Sequence, residues 1–363
     1  MEKHPTPISL SELSEEPLVS VLTPCYNAEE YIRLTIDSVQ AQNFKNWEMI
    51  ICDDGSTDES IAIIEAYVAK DSRIHLIQQT NGGAAAATNT AYAACQGDII
   101  AFLDADDLFS RSKLESCVHA FRNEKTSGFL THRLEGIDGC GKRNGIIYPG
   151  APNLVSGWYA PRIFDNTPTR GMAAPSSGNL LRREVLDKIM PIPCECRRTQ
   201  DAHIIGAAML LTPVIGFNHT LGSYRVHSGG QSRGLMYTEA YHLRQLSDRR
   251  ITLNALSQFC LSQRFDELAH FLKHDVYEQS REYLEHVIIY HFLTGLLPEQ
   301  MQGSNLETLY DGAGCKGKRL KPLLGLPLCC RRFLLCFYRL AVRVTSPLRM
   351  KIQNRKLAVS LND

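Results

Sequence analysis

Acidic side chains are missing from Gly312–Asn362, a stretch that holds twelve Lys and Arg. The 363 residues sum to a formal charge of zero, so residues 1–311 carry the opposite imbalance, 27 basic against 38 acidic side chains. That split excludes an evenly charged chain and suggests a basic tail that meets something anionic. A disulfide framework is missing too. The twelve cysteines are scattered without regular spacing, which points to a reduced, cytoplasmic setting rather than a cross-linked scaffold. Met1 to Glu16 lacks the apolar run of a secretory leader, and residues 1–17 are expected to form a flexible arm. Leu328–Val344 is apolar but interrupted by Arg331, Arg332, Arg339 and Arg343, too charged to cross a bilayer. What is present, 44% apolar residues with a modest aromatic share, describes a globular chain with one main domain and an appendage.

The rest of the pattern alternates strand and helix. Leu18–Thr23 reads as a first strand stopped by Pro24, and Asn27 is placed to cap a helix whose Ile32, Ile36 and Val39 share a face. Trp47–Cys52 is a second strand, ending in Asp53-Asp54-Gly55-Ser56-Thr57-Asp58, where Ser56 and Glu59 predict a capping box. Ile74–Gln78 is a third, followed by the turn Asn81-Gly82-Gly83 and an alanine-rich helix from about Ala84 to Cys95. Then come five apolar residues, Ile99–Leu103, as a strand buried on both faces. This order predicts an α/β fold, a three-layer α/β/α sandwich with a mostly parallel sheet. Where the fourth strand runs out stand Asp104, Asp106 and Asp107. Carboxylates so close repel one another and need water, a basic side chain or a divalent cation to offset them. Their hard oxygens suit Mg²⁺ or Mn²⁺, ions that also carry substrate phosphates. The bland alternative is a solvated turn that caps the next helix.

Four stretches in register carry a resemblance: Val19-Ser20-Val21-Leu22-Thr23-Pro24-Cys25-Tyr26-Asn27, the Asp53–Asp58 run, Asn81-Gly82-Gly83, and Phe102-Leu103-Asp104-Ala105-Asp106-Asp107. Together they resemble the family 2 glycosyltransferases of the GT-A fold, strongly over residues 18–110 and more weakly over 175–235. The resemblance implies a nucleotide-sugar donor, a divalent metal and inversion at the anomeric carbon. It puts Mn²⁺ or Mg²⁺ on Asp106, while Asp104 either takes a ribose hydroxyl or shares the metal. Asp53 suits the imide N–H of uracil, so a UDP-sugar is the expected donor. Thr23, Tyr26 and Asn27 would wrap the base and ribose, and Asp54 and Asn81 complete the donor set. Asp53 and Asp54 also read as a helix-start cluster, although Ser56 and Asp58 can fill that role without them. One position departs from the family. Relatives often read Ala-Arg-Asn-x-Gly after the Asn-Gly turn, but this chain has Ala87-Thr88-Asn89-Thr90-Ala91. Its basic residue is missing, with Arg225 or Arg233 as candidate substitutes.

The second half is sparser. Phe129–Leu134 is expected as a strand, and residues 149–175, rich in Pro, Gly and Asn, as a substrate-facing loop. Arg198-Thr199-Gln200-Asp201-Ala202-His203 leads into an apolar helix and resembles the family's acid pair whose last member is the catalytic base. That points to Asp201, with Gln200 where Glu is commoner; the alternative is that Asp201 merely caps the helix. Tyr224-Arg225-Val226-His227 resembles the segment closing the family's catalytic domain, and His227 is then a metal ligand, a pyrophosphate contact or simply a hydrogen-bonded histidine. Cys194-Glu195-Cys196 with His203 matches no standard zinc spacing.

Beyond Leu235 the pattern turns helical, with Tyr283, Leu284, Val287, Ile288 and His291 on one face. In the tail, the four arginines of Leu328–Val344 face away from Phe333, Phe337 and Leu340, as in a helix lying on a membrane surface. Lys316, Lys318, Arg319 and Lys321 favour an anionic membrane surface as the partner, contacted through residues 312–356. A helix packed on the domain is the alternative, and nucleic acid is not expected, because the apolar face has no use there. The expected organisation is a GT-A domain over 18–235, with donor half 18–110 and acceptor half 111–235. A helical region over 236–311 and a basic amphipathic tail over 312–363 follow. The expected activity is metal-dependent, inverting sugar transfer to a glycan or lipid-linked acceptor in polysaccharide biosynthesis, by a protein peripheral on the inner face of the plasma membrane. One rival is a sugar nucleotidyltransferase, which wants a glycine-rich basic loop where Thr23–Asn27 stands. The other is a nucleotide-sugar-binding protein that has lost its base.

Overall fold

Four strands rich in β-branched and other apolar residues make one side of the sheet. They are β1 (Val19–Cys25), β2 (Trp47–Asp53), β3 (Ile74–Gln78) and β4 (Ile99–Phe102), all parallel, in the order β3-β2-β1-β4. Helices α1 (Ile32–Gln40), α2 (Ser60–Val68) and α3 (Ala84–Ala94) connect them. Val19, Val21, Met49, Ile51, Ile99 and Ala101 are fully enclosed, as strands covered on both faces must be. The computed structural model describes residues 6–150, 153–161, 173–227, 239–266 and 269, in two compact units, Met1–Val226 and His227–Asp363.

After β4 the alternation of strand and helix gives way. β5 (Leu108–Phe109) and α4 (Lys113–Asn123) lead to β6 (Phe129–Asp138), which turns directly into β7 (Arg143–Tyr148). β8 (Asn179–Arg182), α5 (Arg183–Leu186), α6 (Gln200–Leu211) and β9 (Val214–Val226) follow. The sheet continues β4-β8-β6-β9-β5, with β7 on β6. Of these pairings only β6–β9 is parallel, so the expected mostly parallel sheet holds through β4 and becomes mixed beyond it. One of these pairings is a hairpin: β6 returns into β7 through a tight turn with Gly141 at φ +81°, and no helical crossover intervenes.

Several expectations about element ends are corrected. Pro24 does not stop β1. It faces the β4 side beyond the last pairing, Leu22↔Phe102, so no ladder bond is lost. Asn27 caps no helix: it sits at φ +49°, and α1 begins only at Ile32. Its N–H donates to Ser56 Oγ (2.9 Å) and its Oδ1 accepts from Thr57 N–H (2.8 Å), which ties the ends of β1 and β2 together. Ser56 is therefore committed elsewhere, and the capping box gives way to Asp58, whose Oδ1 accepts from Ser60 N–H (3.0 Å). Nor are residues 8–16 a loose arm. Ile8 N–H donates to Leu211 O (2.8 Å), Arg182 Nη2 to Ser11 O (2.7 Å), and Leu13 packs against the core.

In the second unit α7 (Glu239–Ser262) encloses Leu246, Phe259 and Cys260. The expected helical face at 283–291 and the tail from 312 lie outside the described residues. Among the described residues, no helix is long and apolar enough to cross a membrane.

Candidate active site

The carboxyl ends of β1 to β4 meet along one edge, where ligands bind in open α/β sheets. Thr23 and Asp53 are fully buried there. Asp53 Oδ2 accepts from the N–H groups of Gly55 (3.1 Å) and Ser56 (2.9 Å), whereas its Oδ1 and Thr23 Oγ1 are buried without a hydrogen-bond partner. Two orphaned acceptors at a strand end are costly unless a ligand supplies donors. Tyr26 stands beside them with 53% of its surface exposed. Asp54 is occupied differently. Its Oδ1 accepts from Gln79 Nε2 (2.7 Å) and Gly82 N–H (2.8 Å), and its Oδ2 from Gly83 N–H (2.7 Å). This carboxylate builds the Asn-Gly-Gly turn that starts α3. Gly83 is at φ +90°, a conformation that side chains disfavour, and an added Cβ would lie 2.9 Å from Arg197 Nε. Asn81 Oδ1 accepts from Arg197 Nη2 (2.9 Å).

The acidic loop after β4 is braced from three sides. Asp104 N–H donates to Ser177 Oγ (3.0 Å), and Thr35 Oγ1 on α1 donates between Ala105 O (2.8 Å) and Asp107 O (3.0 Å). Arg225 Nε on β9 donates to Asp106 O (2.7 Å), and the Arg225 backbone N–H donates to Asp107 Oδ1 (2.7 Å). The guanidinium also lies 4.7 Å from the centre of the Tyr31 ring. Arg225 is buried on β9, where its Nη1 donates to Asp138 O and Gly139 O (3.2 Å each) and its Nη2 has no hydrogen-bond partner. Arg233 lies outside the described residues. Beneath the loop, Lys113 is fully enclosed, its Nζ donating to Ser177 O (2.6 Å) and lying 3.4 Å from the centre of the Phe109 ring. Burial lowers its pKa to about 7. Burial, with the Asp106 charge adding, pushes the Asp107 carboxyl up to about 8. These braces were not visible in the sequence. The available signal was Lys113 itself, which shares a helical stripe with Leu114, Cys117 and Phe121 and reads as a misplaced polar residue.

Asp104 and Asp201, distant in sequence, line one cleft with Thr88, Ser176, Asn179 and Gln200. Phe102, Leu103 and Ile204 form its apolar wall. Burial raises the Asp104 pKa well above the usual carboxylate range, and the charges of Asp107, Asp106 and Asp201 add to it. Burial also raises Asp201, against the hydrogen bond its Oδ1 accepts from Ala202 N–H (2.7 Å). Asp201 is not the cap of α6. Thr199 holds that position, and Asp201 sits inside the first turn with its side chain on the cleft. His203 is buried below it, its imidazole pushed down to about 4. His227 begins the second unit.

Among the described residues, no three His, Cys, Asp or Glu side chains form a ready metal cage. Asp104 and Asp106, half-buried at a strand end, nevertheless offer hard oxygens. Such a pair fits Mg²⁺ or Mn²⁺ when substrate phosphates complete the coordination.

Residues 20–190 match the family model of glycosyl transferase family 2. An uncharacterized glycosyltransferase of Nostoc sp. (strain PCC 7120) is 34% identical over 211 residues, covering 58% of this chain and 65% of the relative. The putative teichuronic acid biosynthesis glycosyltransferase TuaG of Bacillus subtilis is 46% identical over 115 residues, or 31% of this chain and 45% of that protein. Hyaluronan synthase of Pasteurella multocida is 34% identical over 145 residues, or 39% of this chain and 15% of that one. The chain therefore spans less than two thirds of the length of each of these relatives. Among solved structures, S. aureus TarS 1–349 in complex with UDP-GlcNAc superposes with a TM-score of 0.54 at 21% identity, covering 93% of this chain and 91% of that one. At that identity the likeness is one of fold.

Proposed function

We propose, from the premise that the chain belongs to glycosyl transferase family 2 through residues 20–190, that it transfers a sugar from a nucleotide-sugar donor to an acceptor hydroxyl with inversion. The observation that carries this reading is the cleft in which Asp104, from the end of β4, faces the same space as Asp201, from the start of α6. One half supplies acids for the donor and the other a carboxylate for the acceptor. Asp53 Oδ1 and Thr23 Oγ1, buried without partners, accept from the base and ribose of the donor, which favours a uridine nucleotide with its imide N–H. Asp106, with Asp104, would hold Mn²⁺ or Mg²⁺, which when bound offsets charge on the departing diphosphate. Asp201 takes the proton of the acceptor hydroxyl as its oxygen attacks the anomeric carbon from the face opposite the diphosphate. Configuration inverts in one displacement, with no covalent sugar–protein intermediate. The raised pKa of Asp201 makes it a stronger base than an exposed aspartate. A glycan or lipid-linked acceptor in polysaccharide biosynthesis fits both the family and the basic tail, through which the protein would sit peripherally on an anionic membrane.

The test is Asp201→Asn, assayed with a UDP-sugar panel, Mn²⁺ and glycan acceptors. Donor affinity and fold should persist while transfer falls by about 10²–10⁴-fold, the usual cost of losing a general base. An Asp201→Asn protein that transfers at the original rate would place the base elsewhere. A parent protein that binds donor but never turns over would make the chain a nucleotide-sugar-binding protein.

A further inference from the structure

The cleft beside Asp104 and Asp201 has a one-sided chemistry. Among the described residues that line it, none is Lys, Arg or His. The Thr88 hydroxyl donates to Ala84 O (2.8 Å) within its own helix. Three cations near the surrounding walls donate to neutral oxygens of the protein, and Arg225 Nη2 is buried without a partner. Lys113 Nζ is bonded to Ser177 O, Arg225 Nε to Asp106 O, and Arg197 Nη2 to Asn81 Oδ1. What the cleft does offer is acceptors. Asn179 is 2% exposed, and its Nδ2 donates to Ala174 O (3.0 Å) and Pro175 O (3.1 Å). Those two carbonyls can only accept, so they fix which end of the amide faces them and leave Oδ1 as the free end. That Oδ1 is buried without a partner, as is Gln200 Oε1 across the cleft.

We propose that this cleft receives the sugar of the donor and selects an uncharged one, with Asn179 Oδ1 accepting from a sugar hydroxyl or amide N–H. The inference rests on the transferase reading above and narrows its substrate class. A neutral sugar brings several O–H donors to a wall of acceptors and satisfies the orphaned Asn179 oxygen. A uronic acid brings a carboxylate instead. Beside the carboxyl groups of Asp104 and Asp201, with no Lys, Arg or His among the described residues that line the cleft, that carboxylate would meet acceptors in place of a counter-charge and could give nothing to Asn179 Oδ1. Selection here comes from repulsion and an unfilled acceptor as much as from attraction.

The experiment is calorimetry of the full chain with Mn²⁺ against UDP, UDP-glucose, UDP-galactose, UDP-GlcNAc and UDP-glucuronate, repeated with GDP, GDP-mannose and GDP-mannuronate. The best neutral donor should bind about tenfold or more tightly than the uronate of the same nucleotide. Thr88→Arg, which puts a cation into the cleft, should shrink that ratio. Asn179→Ala should weaken the best neutral donor relative to the bare nucleotide and leave the bare nucleotide unchanged, a split that a general folding defect would not produce. Uronate binding as tight as the neutral sugar would overturn the inference and leave the transferase reading standing, as would a Thr88→Arg protein with an unchanged ratio. Should Asn179→Ala fail to fold, the donor panel and Thr88→Arg still decide. If neither nucleotide series binds the parent protein, the transferase reading falls first.

Discussion

Asp106 and Asp53 follow β4 and end β2, on either side of β1, yet their surroundings separate their work. Asp106 is half-buried on a braced loop, and Asp53 is buried with one oxygen bonded to backbone N–H groups and the other unpartnered. Asp106→Ala should abolish the Mn²⁺-dependent part of UDP affinity. Asp53→Ala should weaken UDP with and without Mn²⁺. Calorimetry at several Mn²⁺ concentrations distinguishes them, and unchanged Mn²⁺ dependence in Asp106→Ala would remove the metal from that residue. At this scale the sequence was informative wherever an acid stood at the end of an apolar run, because strand ends face the ligand edge. It was uninformative about Asp54, whose neighbour suggested a shared role. Only the backbone path of Gly82 and Gly83 reveals that both Asp54 oxygens are taken.

The elements hold the site through groups that hydrophobic patterning cannot read. Thr35 is buried on the inner face of α1, and one hydroxyl serves two carbonyls of the acidic loop. Thr35→Val keeps the shape and removes the donor. Buried carbonyls left without a donor cost about 1–3 kcal/mol, so the denaturant midpoint should fall at unchanged slope. A midpoint equal to the parent's would mean that the loop is held by Ser177 and Arg225 alone. The bracing roles of Thr35, Lys113 and Arg225 escape sequence reading for a common reason. Each sits on a helical stripe or strand face whose period marks it as interior, and its polar partner comes from a remote segment. The parallel half was legible because each strand, turn and helix there is a local unit. The mixed half was not, because β8 and β9 pair with strands far away in sequence.

For the whole molecule, the charge imbalance between residues 1–311 and 312–362 predicts behaviour at a surface. Full-length protein should sediment with anionic vesicles at low salt and be partly released at high salt, since each basic residue reaching the lipid contributes about 1 kcal/mol that salt screens. A chain ending near Tyr310 should stay in the supernatant and still bind donor. Indifference of the full chain to such vesicles would end the membrane reading. Lys113 offers a different kind of report. Burial lowers its pKa to about 7, which favours the unprotonated, nucleophilic amine, and seals that amine inside the domain. An amine-reactive reagent can reach it only when α4 lifts away, so its modification rate clocks that opening. In a time course read by mass spectrometry, exposed Lys142 should be modified early and Lys113 late, sooner in Thr35→Val than in the parent. Modification of Lys113 as fast as Lys142 would mean that the floor beneath the acidic loop breathes freely.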